Sequence, residues 1–173
     1  MKLKNIALAV VAAIATALPV QSRIEPETHT LIDMLSDDGV VVMVNSTMCK
    51  RESIYGAYVT YGDGSRSMIL CPGSDWDAID HSTVRHEMAH ALQHCVNIKR
   101  GTPRDTPMIQ DTDELARLVN THVPDDQVVF IKSSYPREKW LVEFEANYIE
   151  RVMTSSQLIK LWNDLDCRDV SYV

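Results

Sequence analysis

Five consecutive residues, His86-Glu87-Met88-Ala89-His90, set within a stretch of helical periodicity, constrain this chain more than any other feature. At about 100° per residue with His86 as zero, His90 lies at about 40° and Glu87 at about 100°. Val84, Met88, Ala91, Leu92 and Cys95 fall between about 140° and 240° on the same count. A helix divided in this way packs one side on a core and turns the other, chemical side to a cleft. The pattern predicts a helix from Asp77 or Asp80 to about Val96. Asp80 or Ser82 suits its N-cap, and Trp76 and Asp75 shape its entry.

Two histidines one helical turn apart can each aim an imidazole nitrogen at one ion about 2.0–2.1 Å away, as zinc requires. The glutamate between them occupies the adjacent strip of the helix, where it can take the proton of a water beside the ion. The expectation is a Zn2+ centre with His86 and His90 as ligands and Glu87 as general base. The competing explanation, a solvated helix with two surface histidines and a salt-bridging glutamate, accounts for the charge but not for the two-faced pattern.

A catalytic zinc commonly takes three protein ligands and keeps one position open. His94 is excluded by length, because on a continuous helix it lies about 12 Å along the axis from His86; it lines the cleft or sits on the surface. The segment from Trp140 to Tyr148 offers Glu143 and Glu145, about 200° apart on a helix and unable to share the role. Glu143 is preferred. Asn147, four residues on, shares its face and could accept a hydrogen bond from a ligand histidine, whereas the corresponding neighbour of Glu145 is Ile149. A solvated acidic face is the alternative for this helix.

An H-E-x-x-H helix followed by a glutamate on a later helix resembles the gluzincins, the thermolysin-like zinc peptidases, in which a glutamate ligand with an acidic or amide residue four positions on matches Glu143 and Asn147. The stretch Glu143-Phe144-Glu145-Ala146-Asn147 is also similar to the corresponding part of the ImmA/IrrE-like peptidases. The resemblance covers two helices and the strand Arg66 to Cys71, under half of the chain. It implies an α+β, zincin-like fold: a small, mostly antiparallel sheet packed on the His86 helix, and a second helix delivering Glu143. It also implies hydrolysis of a peptide or protein substrate, held along Arg66–Cys71 as an edge strand. A group that stabilises the oxyanion is needed as well, and Tyr148, His122 and Tyr135 remain open for it. No G-x-S-x-G elbow points to a serine hydrolase. An exported zinc-binding or interaction module without turnover, and a zinc amidase acting on cell-wall peptides, are the rival functions.

Elsewhere, Thr28 to Asp37 reads as a helix closed by Asp38-Gly39, and Val40 to Asn45 as a buried strand. Ile54 to Tyr61 and Arg66 to Cys71 flank Gly62-Asp63-Gly64-Ser65, a hairpin signal. Asp111 to Asn120 reads as a helix and Val128 to Ile131 as a strand or extended segment, separated by Pro124-Asp125-Asp126. Ser134 is expected to cap a helix from Tyr135 or Pro136 to about Met153, and Ser156 to Leu165 forms the last helix.

The first residues are basic, Ile6 to Leu18 is apolar, and Ala15-Thr16-Ala17 offers a small-residue cleavage site, the layout of a secretory signal peptide over residues 1–17. The apolar run is shorter than the roughly 20 residues a spanning helix needs and stops at Pro19. No stable membrane insertion is expected after cleavage, and residues 18–173 suit one zincin-like domain, periplasmic or secreted. Without residues 1–17 the chain carries 24 acidic against 15 basic residues, a net charge of −9, which argues against nucleic acid as a partner. Four cysteines in an exported chain suggest two disulfides. Cys49–Cys71 and Cys95–Cys167 are the expected pairs, the first joining neighbouring strands and the second tying the C-terminal segment to the His86 helix.

Overall fold

A computed structural model describes residues 26–52, 54–73, 76–103 and 106–168. The expected signal peptide with its cleavage site at Ala17, and Asp75, lie outside the described residues. The chain order is α1 (Pro26–Asp37), β1 (Val40–Val44), α2 (Thr47–Glu52), β2 (Gly56–Thr60), β3 (Arg66–Leu70), α3 (Ala78–Arg100), α4 (Thr112–His122), α5 (Asp125–Ser134), a 3-10 turn (Arg137–Lys139), α6 (Trp140–Val152) and α7 (Ser155–Asp164).

The architecture is α+β, but the sheet differs from expectation. Its order is β1-β3-β2, with β1 parallel and β2 antiparallel to β3, so it is mixed rather than mostly antiparallel. β3 is therefore central, not an edge, and every one of its residues is buried. The cause lies in the connection from β1. Asn45, at φ 55°, kinks the chain out of β1, and Ser46 accepts the Met48 N–H on its hydroxyl at 3.2 Å, starting the unforeseen helix α2. That crossover carries the chain past the position beside β1, which β3 then fills. The β2–β3 hairpin is as the sequence indicates: Tyr61 N–H donates to Ser65 at 2.9 Å, and Gly64 takes φ 85° in the turn.

α3 carries the core. Asp77 is its N-cap, accepting from Ile79 and Asp80, while Asp80 reaches back to the Asp77 N–H in a capping box. Gly101 closes it in the left-handed conformation at φ 66°. Val84, Met88, Ala91 and Leu92 are all fully buried against Leu31 and Leu35 of α1, Met68 of β3, Ala146 of α6 and Trp162 of α7. Removal of each such larger side chain from water stabilises the fold by about 1.5–3 kcal/mol.

The segment Val128–Ile131, expected as strand or extended, lies inside α5. Pro124 is the N-cap, and Asp125 and Asp126 fill the first turn, where carboxylates favour the positive end of the helix dipole; the apparent separator is a helix start. α6 begins at Trp140 rather than at Tyr135 or Pro136, and Ser134 ends α5 instead of capping α6. Tyr135, preceding Pro136, is forced into extended backbone (φ −115°, ψ 147°).

Both expected disulfides form, Cys49–Cys71 and Cys95–Cys167. Cys49 sits in α2 rather than in a strand. The two bridges suit an oxidising compartment, and no helix among the described residues is long and apolar enough to cross a membrane.

Candidate metal centre

α3 and α6 pack antiparallel, as their cross-links demonstrate: Arg85 Nε donates to the Glu150 carbonyl at 3.0 Å near one end, and Gln93 Nε2 to the Val142 carbonyl at 2.9 Å near the other. Midway, His86, His90 and Glu143 converge. Nε2 of His86 lies 3.1 Å from Nε2 of His90 and 3.4 Å from Oε2 of Glu143; Nε2 of His90 is 3.7 Å from Oε1 of Glu143. A tetrahedral ion bound at about 2.0–2.1 Å sets its donors about 3.3 Å apart, so these atoms already outline one face of such a site. Oε2 of Glu143 is buried and makes no hydrogen bond. A buried carboxylate oxygen without a hydrogen bond, 3.4 Å from an imidazole nitrogen, fits a cation better than it fits a finished polar core.

The outer nitrogens of the histidines are held. Nδ1 of His86 meets Oε2 of Glu150 at 2.8 Å, and Nδ1 of His90 meets Oε1 of Gln93 at 2.8 Å. Acceptors there place the proton on Nδ1 and leave the Nε2 lone pair for an ion. Gln93 is itself locked, its Nε2 donating to Glu145 Oε2 at 2.9 Å. Glu145 is fully buried and also accepts the backbone N–H groups of Met108 (2.7 Å) and Ile109 (2.6 Å). This glutamate stands outside the His86–His90–Glu143 cluster and anchors the loop after α3 to the residue that orients His90.

Asn147 does not serve the histidines. Its Nδ2 donates to the Glu143 carbonyl at 3.1 Å within its own helix, and Glu150 takes the place expected for it. The signal for the true partners was spacing: Gln93 follows His86, and Glu150 follows Glu143, by seven residues, which returns to about 20° of the starting direction.

Electrostatics follow from this crowding. Burial pushes the His86 pKa down, but Glu143 and Glu150 on its two nitrogens outweigh it, and the value is raised to about 10. Burial acts to raise Glu143, yet the two imidazoles hold it at about 2. Glu87 is 5% exposed; burial, aided by Glu143, raises its pKa, against the opposing pull of His86 and His90. A carboxyl so raised is a stronger base once ionised.

A cleft of about 560 Å³ opens from the His90 and Glu143 side of the centre, with Tyr58, Val59 and Thr60 of β2 on one wall and Tyr135, Pro136 and Lys139 on the other. His94 lies along it, buried and beside the Tyr58 ring at 5.9 Å, as its distance from His86 required. Of the three oxyanion candidates only Tyr135 reaches this space. Burial, followed by the Glu143 and Glu87 charges, pushes its pKa up. His122 and Tyr148 instead stack on each other at 5.5 Å. No family model matches the chain, and no curated protein or solved structure gives a significant match.

Proposed function

We propose that this chain is an exported zinc peptidase of gluzincin type, hydrolysing peptide bonds with water as the nucleophile. The observation that carries this reading is the convergence of Nε2 of His86, Nε2 of His90 and the orphaned Glu143 Oε2 beside the buried Glu87 carboxyl. His86, His90 and Glu143 would hold the ion. Zinc so bound supplies Lewis acidity, polarising a carbonyl and making a water acidic enough near pH 7 for a carboxylate to deprotonate.

Glu87 takes the proton from the attacking water and returns it to the leaving amine. The Tyr135 phenol, high in pKa and therefore protonated, donates to the oxyanion as it develops. The substrate strand lies against β2, whose outer edge borders the cleft, rather than against the central β3. An open cleft reaching His90 and Glu143 of the three-residue cluster favours turnover over a closed structural site.

The test is metal analysis and peptide-library cleavage by the mature protein and its Glu87→Gln variant. One zinc per chain in both proteins, with cleavage by the wild type alone, is expected. A wild-type protein that binds no stoichiometric zinc under metal-replete conditions would end the proposal, and undiminished cleavage by Glu87→Gln would remove Glu87 as the base.

A further inference from the structure

Glu87 borders β2 more closely than a side chain normally allows. A Cβ placed on Gly56 would lie 2.9 Å from Glu87 Oε1, 3.0 Å from Glu87 Cγ and 2.7 Å from Thr83 Cγ2. Gly56 is not among the residues with positive φ, so space, not backbone conformation, demands glycine here. Two residues on, the Tyr58 ring packs beside His94 of the same helix at 5.9 Å.

The strand's parity makes this contact systematic. The Tyr55 carbonyl accepts from Cys71 at 2.8 Å and the Tyr61 N–H donates to Ser65 at 2.9 Å, so Tyr55, Ala57, Val59 and Tyr61 turn their main chain toward β3. Gly56, Tyr58 and Thr60 turn theirs to the outer edge, and their side-chain positions share the face that meets α3 at Thr83, Glu87 and His94. The Cys49–Cys71 bridge braces the start of β2 through the same Cys71–Tyr55 bond.

We propose that β2 is the positioning element for the general base: Gly56, carrying no side chain, lets the strand close on Glu87 and confine its carboxylate. Gly56 is thus a positioning residue that acts through Glu87. This inference rests on the peptidase reading for its catalytic meaning, but its geometry is testable apart from turnover.

The test uses the zinc-loaded full chain and the variants Gly56→Ala, Gly56→Ala/Thr83→Ser and Glu87→Gln. Thr83→Ser removes the Cγ2 that the new methyl would meet and keeps the hydroxyl that donates to the Ile79 carbonyl at 2.9 Å. Gly56→Ala is expected to retain one zinc, to lower kcat by about 100-fold with KM within about twofold, as an ångström-scale displacement of a catalytic group does, and to lose thermal stability. Adding Thr83→Ser should restore the stability and leave kcat low. Recovery of kcat in the double variant, or an undiminished kcat in Gly56→Ala, overturns the proposal.

Binding of acetohydroxamate, a metal chelator whose proton needs an acceptor carboxylate beside the ion, reads the same geometry without turnover. Its Kd should rise about tenfold in Gly56→Ala, the loss of one good hydrogen bond, as it does in Glu87→Gln. An unchanged Kd in Gly56→Ala with a raised one in Glu87→Gln overturns the positioning role. Should the wild type cleave no peptide while Gly56→Ala still weakens acetohydroxamate, the peptidase reading fails and the positioning of Glu87 stands.

Discussion

If His86 holds zinc as proposed, zinc and a proton compete for its Nε2, and the competition sets a measurable pH dependence. In the metal-free protein the Nε2 atoms of His86 and His90 approach to 3.1 Å, with Glu143 Oε2 at 3.4 Å from the former; two lone pairs cannot face each other at that distance, so a proton lies between them. The His86 pKa is raised to about 10. A raised value means that the folded, metal-free state holds this proton more tightly than the unfolded chain. Its stabilising contribution is complete below about 6.5 and is lost as pH climbs through about 10. For zinc the sign is reversed. Each unit of pH between about 6.5 and 10 should tighten apparent binding about tenfold, and at pH 7 the proton weakens it by about a thousandfold, or about 4 kcal/mol. Glu143, held at about 2, stays ionised throughout this window and adds no slope. Competition against a chelating indicator from pH 6.5 to 8.5, corrected for the indicator's own protonation, gives the slope. Calorimetry in two buffers of different ionisation enthalpy should count about one proton released per zinc at pH 8. Glu150→Gln removes one of the three carboxylates that raise His86 and should end the tenfold-per-unit rise at a lower pH. Affinity independent of pH above 7, with no proton released, would refute the argument.

Glu143→Ala should lower zinc affinity by at least about 100-fold while the protein stays folded, checked by the same competition titration, since it removes a ligand where loss of a supporting partner alone costs 10–100-fold. Gln93→Leu should weaken zinc by about 10–100-fold without touching the ion, because His90 loses its Nδ1 acceptor. It should also lower the denaturation midpoint by leaving Glu145 short of a donor. Replacing Cys95 and Cys167 together by serine opens a crosslink spanning 72 residues and should cost about 4 kcal/mol in denaturant unfolding; the 22-residue Cys49–Cys71 crosslink should cost about 3.

How much of this was legible in the sequence depended on whether the deciding interaction was local. The two faces of α3 were readable because periodicity alone fixes them, and Glu143 because a helix needs only the correct strip to present it. The boundaries of α6 were not. Ser134 looks like a cap, but the pre-proline constraint on Tyr135 ends one helix and inserts a turn before the next. Val128–Ile131 misled for a similar reason, since two adjacent valines suggest strand while the acidic first turn behind Pro124 decides for helix. The sheet order was out of reach, because which strand lies between the other two is settled by a crossover through α2 that carries no periodic signal.

The assignment of Asn147 failed for a more instructive reason. Counting positions within α6 finds residues on the face of Glu143 but cannot say which of them stands opposite which histidine; that depends on the relative direction of the two helices. Because α3 and α6 run antiparallel, with Arg85 beside Glu150 and Gln93 beside Val142, residues later in one helix meet residues earlier in the other. Glu150 therefore falls beside His86, and Gln93 beside the start of α6, where Glu145 can hold it. Glu143, between these ends, is the position from which one carboxylate reaches both imidazoles. The supporting partner of each histidine thus comes from a position seven residues beyond a ligand, Gln93 after His86 and Glu150 after Glu143. Antiparallel packing is what brings Glu150 to His86, whereas Gln93 reaches His90 within α3, three residues on.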